Sequence, residues 1–244
     1  MKMWIIAKKE INDFFSTWLG YTIITIFLTT TTLFTWILDT QFNMLNAGFA
    51  DLNAFFSLSP IIFIFLLPAI CIKSFSNEFK SETIEILFSK PIRNNEIVIG
   101  KFIGCFIISF FNIIPTLIYF FGIYSLKDEV ALIDIGSTIT SYLGLLLLSC
   151  SFISISIFSS IITNNQIVSF ISSVFICFFL FFMNEFADFI SDPKIYDVIN
   201  YIGIKEHYFS LNQGIISTKD ISYFFALNYL FIHLSIICLN KIKK

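Results

Sequence analysis

Six long apolar runs restrict this 244-residue chain more than any other feature. They fall at about 18–38, 55–72, 102–124, 139–162, 167–183 and 222–239. A helix needs roughly 20 apolar residues to cross a bilayer, and the runs reach or approach that length. A lone strand in lipid would leave its backbone groups without partners, so each run is predicted to be a helix. The remaining sequence supplies little solvating charge: 13% of residues are charged, against roughly 25% in a soluble domain. The expected fold is therefore an all-α integral membrane protein with six transmembrane helices in a single domain, residues 1–244.

Several smaller signals follow from that frame. Pro60 and Pro68 in the second run and Pro115 in the third are expected to kink or loosen their helices. Cys71, Cys105, Cys150, Cys177 and Cys238 lie within or at the ends of apolar runs and show no C-x-x-C spacing, so they read as small packing residues. The Thr-rich stretch TIFLTTTTLFT of the first run has two readings: hydroxyls bonding back to their own helix, or hydroxyls lining a pathway. Gly100 and Gly104 form a GxxxG pair, which lets two helices approach closely but is also common by chance in apolar sequence. His207 and His233 are the only histidines; no acidic partner is evident for either, so both are expected to pack rather than bind metal or relay protons.

The charges are distributed unevenly between the two sets of connections. The N-terminus, the segment between the second and third runs, the 163–166 turn and the C-terminal tail carry eleven Lys and Arg residues. The alternate set carries four: Lys127, Lys194, Lys205 and Lys219. By the positive-inside rule, both termini and the segment between runs two and three are predicted to be cytoplasmic.

Residues 1–16 read as an interfacial helix with an apolar stripe of Trp4, Ala7, Ile11, Phe14 and Phe15 that continues to Trp18. In the long connection 184–221, runs such as IYDVINYIGI have helical spacing and predict short helices at the outer interface. That connection ends in STKD, where Ser217 and Asp220 match a capping box ahead of the last span.

The segment SFSNEFKSETIEILFSKPIRNNEIVIGKF, with Lys73 before it, packs nine charges into an otherwise greasy chain. Within it SETIEILFSKP reads as a short helix: Ser81 at its cap, Glu82 and Glu85 near the positive end, Lys90 at the other end and Pro91 as the stop. Ile84, Leu87 and Phe88 give it a narrow apolar face. A rigid surface with greasy and charged contacts suits docking of a soluble partner; a solvated connection is the alternative. A phosphate-cradling GxxxxGK[ST] loop is missing, because the nearest stretch, NEIVIGKF, has Asn95 and Phe102 where Gly and Ser or Thr are required.

The stretch FNMLNAGFADLNAFFSLSPIIFIFLLPAICIKSFSNEFKSETIEILFSKPI resembles the second span and first cytoplasmic loop of ABC type-2 exporter permeases. It looks most like the gliding-motility-associated permease subunit (GldF type). In that family a pattern SF-x-x-E-x-x-x-x-T-x-E-x-L-x-x-x-P forms a coupling helix that sits in a groove of the ATPase. The match falls on Ser74, Phe75, Glu78, Thr83, Glu85, Leu87 and Pro91. The family pattern has Gly where this chain has Glu82. HYFSLNQGIISTKDISYF is similar to the family's pattern before its last span, on His207, Phe209, Gly214, Thr218, Lys219, Asp220 and Tyr223.

The resemblance implies the permease subunit of an ATP-driven exporter, with a role in gliding motility or the cell envelope, in a bacterial inner membrane. It implies two partners: an ABC ATPase dimer that carries ATP and Mg, and a second permease copy or similar permease. No cofactor is expected on this chain, no nucleic acid partner, and no enzymatic activity of its own. Other classes stay open. A secondary transporter needs intramembrane ionisable residues that the runs nearly lack, and an intramembrane protease needs a catalytic pair that is missing. A non-transporting scaffold of a motility or secretion complex is compatible with the same sequence. No residue pattern names a substrate.

Overall fold

The computed structural model describes residues 2–46, 51–126, 134–187 and 192–243, and its regular structure is entirely helical. Among the described residues, six helical stretches are long and apolar enough to cross a membrane: Trp18–Ile37, Asn53–Lys80, Asn94–Leu126, Ile135–Ile162, Gln166–Ala187 and Thr218–Ile242. They coincide with the six predicted runs. The third begins well before residue 102, because the polar turn at Asn94 is itself helical. Its start is stabilised where the Arg93 backbone N–H donates to the Glu96 carboxylate at 3.0 Å.

In chain order, α1 (Lys2–Phe15) precedes the first span, α2 (Trp18–Thr32), which closes in a π-helical turn over Leu33–Ile37. The second span is α3 (Asn53–Cys71), followed by the short α4 (Ser76–Lys80) and α5 (Ile84–Ser89). The third is α6 (Asn94–Ile113) and α7 (Leu117–Leu126), separated by a 3-10 turn at Ile114–Thr116. Pro115 accounts for that break, since it lacks the N–H an α-helix needs. Pro60 and Pro68, by contrast, lie inside a continuous α3. The remaining spans are α8 (Ile135–Ile162), α9 (Gln166–Ala187) and α12 (Thr218–Ile242), with α10 (Pro193–Ile202) and α11 (Ile204–Asn212) between the last two.

The centre of the bundle is α3 packed on α8, flanked by α6 and α9. Phe55, Phe56, Phe63, Leu148 and Phe152 are fully buried there, and Phe56 meets Tyr142 edge-on at 4.9 Å. Several serines of α8 are tolerated in that core because they bond back along their helix: Ser156 donates to Phe152 O at 2.6 Å and Ser160 to Ile157 O at 2.9 Å. The Thr-rich first span behaves alike. Thr25, Thr29, Thr31, Thr32 and Thr35 each donate to a carbonyl one turn earlier, and Thr31 and Thr32 also reach the Tyr119 hydroxyl at 2.9 and 2.8 Å. Cys71, Cys105 and Cys177 are buried and all five cysteines are free.

Where they are described, the two sets of connections gather at opposite ends of the bundle. At one end, Gln166 at the start of α9 donates to Asn77 Oδ1 at 2.8 Å, and Asn94 donates to Asn240 Oδ1 near the end of α12 at 2.6 Å. At the other, Ser141 donates to Asn212 O at 3.1 Å, and the buried Tyr208 hydroxyl donates to Phe56 O at 2.7 Å. Burial of Tyr208 pushes its phenol well above the ordinary tyrosine range. Helix α10, predicted from its spacing, forms with no buried residue of its own. Lys127 and Lys244, counted among the basic residues above, lie outside the described residues.

Candidate functional site

Helix α1 lies against α6, and the sequence explains why. Ile6, Ala7 and Phe14 are its buried residues; Ile6 faces Gly100, Ala7 faces Gly104 and Phe14 meets Gly20. A Cβ at Gly100 would stand 2.8 Å from Met3 O, and one at Gly104 would stand 2.8 Å from Glu10 Cβ. The GxxxG pair therefore serves a helix approach within this chain. That approach also selects the buried face of α1. Trp4, expected on the apolar stripe, is 59% exposed, whereas Ile6, off the stripe, is buried.

Between the two glycines sits Lys101, 1% exposed. Its ammonium lies 2.8 Å from Glu10 Oε1 on α1 and 2.9 Å from Glu78 Oε2 on α4, and it donates to the Ser74 carbonyl. The ammonium thus donates to Glu10 and to Ser74, and it pairs with Glu78 by charge. The Phe75 ring lies below, 4.6 Å from Nζ. Lys9 holds the other Glu78 oxygen at 2.9 Å. A charge this deep is tolerable only when paired and hydrogen-bonded, and here one lysine ties α1, α4 and α6 into a unit.

The segment between α3 and α6 contains the short helix expected within 81–91, as α5, and a further one before it. It forms two short helices with a turn between them, and Glu82 in that turn has φ 56°, the one positive value at a non-glycine among the described residues. This is the position where the resembled family pattern has Gly, and only Gly adopts such a backbone freely. Ser81 does not cap α5. Its hydroxyl instead donates to Asn77 O at 2.8 Å and contacts the Thr83 hydroxyl at 2.9 Å, which helps hold the turn.

The seven residues singled out from the sequence divide into two groups. Ser74, Phe75 and Glu78 are buried, so the expectation that Glu78 projects toward a partner gives way: its carboxylate is held by Lys9 and Lys101. Leu87 is half-buried and packs on the core alongside Phe88 and the buried Ile84. Thr83, Glu85 and Pro91 are exposed. Thr83 edges a cleft of about 360 Å³ between this segment and α1, whose lining includes Lys9, Asp13, Lys73 and Asn77. The far end of the segment is held by both ends of the chain. Lys2 donates to Pro91 O, and the Lys243 ammonium lies 5.4 Å from the Phe88 ring.

The opposite end has its own buried pair. Asp220 does not reach back to the helix cap as the STKD match predicted. Ser217 alone caps α12, accepting from Lys219 N at 3.2 Å, while Asp220 Oδ1 lies 2.7 Å from His207 Nδ1. His207 therefore does have an acidic partner, from a different helix. Its Nε2 lies 3.0 Å from Tyr201 O, and its ring stacks on Tyr223 at 4.0 Å. No group of three or more metal-ligating side chains occurs among the described residues.

Glu10 was missed as a functional residue, although a signal existed. A buried lysine inside a GxxxG pair calls for acids nearby, and Met3, Ala7, Glu10 and Phe14 follow one another at helical spacing on α1. The sequence of residues 4–239, nearly the whole chain, matches the family model of the ABC-2 family transporter protein. The chain belongs to that family. No curated protein matches it. As an ABC-2 protein it is the multi-pass membrane permease subunit of an ABC transporter, and permeases of this family typically work with an ABC ATPase. The ABC-2 match covers both the segment between α3 and α6 and the His207–Asp220 pair.

Proposed function

We propose that this permease is energised through the segment 74–91, which acts as the coupling element for a separate ATPase dimer bound on the cytoplasmic side. The observation that carries the reading is mechanical. The segment is bonded at one end of the bundle to α1 through Glu78 and Lys9, to α6 through Lys101, to α9 through Asn77 and Gln166, and to the end of α12 through Phe88 and Lys243. A push on its exposed turn reaches four helices at once. Thr83 and Glu85 form the contact surface; Ser74, Phe75 and Glu78 hold that surface in place rather than touching the partner.

In this reading both termini are cytoplasmic, in keeping with the eleven-to-four division of basic residues, and the membrane is a bacterial inner membrane. Two permease chains, identical or similar, pair to form the path. ATP and Mg belong to the ATPase, since this chain has no phosphate-cradling loop. The resemblance to GldF-type permeases supports export connected with gliding motility or the envelope.

The test is co-purification of the ATPase with permease variants. Glu85→Lys and Thr83→Arg should insert and express normally, because exposed substitutions usually shift stability by about 0.5 kcal/mol or less. They should nevertheless lose the ATPase, since mismatched charge at a docking surface disfavours binding strongly. Gln213→Lys, exposed at the opposite end, should retain it. Retention by all three would refute the coupling role. Glu78→Lys is unsuitable, because it would disrupt the buried cluster first.

A further inference from the structure

One face of α1 packs on α6; the other is covered by nothing among the described residues. There Trp4 and Ile5, 59% and 66% exposed, stand beside Lys8, Lys9, Asn12 and Asp13 around an open recess of about 510 Å³. Lys8 has no ion-pair partner among the described residues. Lys9 is bound to Glu78, yet its side chain is 54% exposed and retains free donors. Among the described residues lining the recess, Asp13 is the one acid against Lys8 and Lys9, so the lining carries one net positive charge.

The depth of this face can be worked out from α6. The stretch Asn94–Leu126 has 33 residues, about 50 Å at 1.5 Å per residue, against a hydrocarbon core of about 30 Å. Centred on that core, roughly 10 Å projects at each end, and the contact with α1, from Gly100 to Gly104, stands about 9–15 Å along the helix. That puts the start of α1, with Trp4 and Ile5, at the boundary between headgroups and hydrocarbon. Trp18, 83% exposed at the start of the first span, fits the same level, where tryptophans concentrate.

We propose that this face of α1 is a binding site for an anionic phospholipid. Lys8 and Lys9 hold the phosphate, and Trp4 and Ile5 receive the upper part of an acyl chain. Positive balance, two unpartnered large apolar side chains and interfacial depth together favour a lipid over an acidic protein surface, which would leave Trp4 and Ile5 without apolar cover. The site stands independently of the coupling reading. It also has a consequence for the segment 74–91, because Lys9 would serve the lipid phosphate and Glu78 together.

The experiment uses the full chain with Trp18 and Trp36 changed to Phe, so that Trp4 alone fluoresces. It is reconstituted in phosphatidylcholine vesicles containing a minority of phosphatidylglycerol, with either lipid brominated in its acyl chains. Brominated phosphatidylglycerol should quench Trp4 well beyond its mole fraction. One lysine near an anionic surface contributes about fivefold to binding, so Lys8→Glu should reduce that preference by about fivefold or more. Lys241→Glu, the same charge change elsewhere at this end, should leave it intact. Quenching in proportion to mole fraction, or an equal effect of both variants, would overturn the site. Absence of quenching by either lipid would overturn it in favour of a protein partner covering α1. Native mass spectrometry of wild-type protein provides a second readout that needs no Trp substitution: tighter first binding of phosphatidylglycerol than of phosphatidylcholine is expected, and equal binding would refute the site.

Discussion

Lys101→Met removes the ammonium at the centre of the buried cluster and nearly preserves side-chain volume. Glu10 and Glu78, which both lie within 3 Å of that ammonium, would then face one another at low exposure, with Lys9 left to hold one Glu78 oxygen. Breaking a buried ion pair by removing one partner costs about 3–5 kcal/mol. For a chain of this size each kcal/mol shifts the melting temperature by about 2–4 °C, so a fall of about 6–20 °C is expected. The assay is thermal unfolding in detergent, followed by intrinsic fluorescence and size-exclusion recovery. The same reasoning fixes the rescue. In Lys101→Met combined with Glu10→Gln and Glu78→Gln no buried charge remains, and replacing a whole buried ionic cluster by neutral groups is often neutral or stabilising. Most of the lost stability should return. If the single variant melts with the wild type, or the triple variant melts no higher than the single one, the cluster does not hold α1, α4 and α6 together as described.

Three further outcomes follow from particular positions. Gly100→Val should cost about 1–3 kcal/mol through overpacking and make α1 more sensitive to protease, because its Cβ would meet the Met3 carbonyl and Ile6; unchanged proteolysis would contradict the close approach. Glu82→Gly should leave stability unchanged or raise it by up to about 1 kcal/mol, since relief of the left-handed backbone outweighs or balances the added freedom of the unfolded chain, whereas Glu82→Val should lower the melting temperature. His207→Ala strands the buried Asp220 carboxylate and should cost about 1–3 kcal/mol, with cleavage between α11 and α12 accelerated; Asp220→Asn, which keeps one hydrogen bond to the imidazole, should lose less.

The spans were legible because a bilayer imposes a length and a composition that apolar runs announce directly. Helix ends were less so: α6 begins at Asn94 because polar residues continue a helix into the headgroup layer, where hydropathy no longer marks it. The segment 74–91 stood out by its charge and its Pro91 stop, and by resemblance from the spacing of Ser74 to Pro91. Which of those residues face outward was not, since burial of Glu78 is decided by Lys101, 23 positions away, and by a helix packed on two glycines. Asp220 misled for the same reason. A cap is a local interaction that spacing suggests, but a buried histidine from another helix competes for the same carboxylate and wins. Glu82 was the most informative departure, because a residue where a pattern has Gly marks a backbone that turns left-handed whatever the side chain.

The central claim is that the exposed turn at Thr83 touches an ATPase. A photo-reactive benzoylphenylalanine placed at Thr83 in living cells tests it most directly, with the same label at Gln213 as the comparison. The account predicts a cross-link from position 83, absent from position 213, to a chain that carries a Walker phosphate-binding motif. Cross-links from position 83 only to lipid, to another permease chain or to nothing would contradict it.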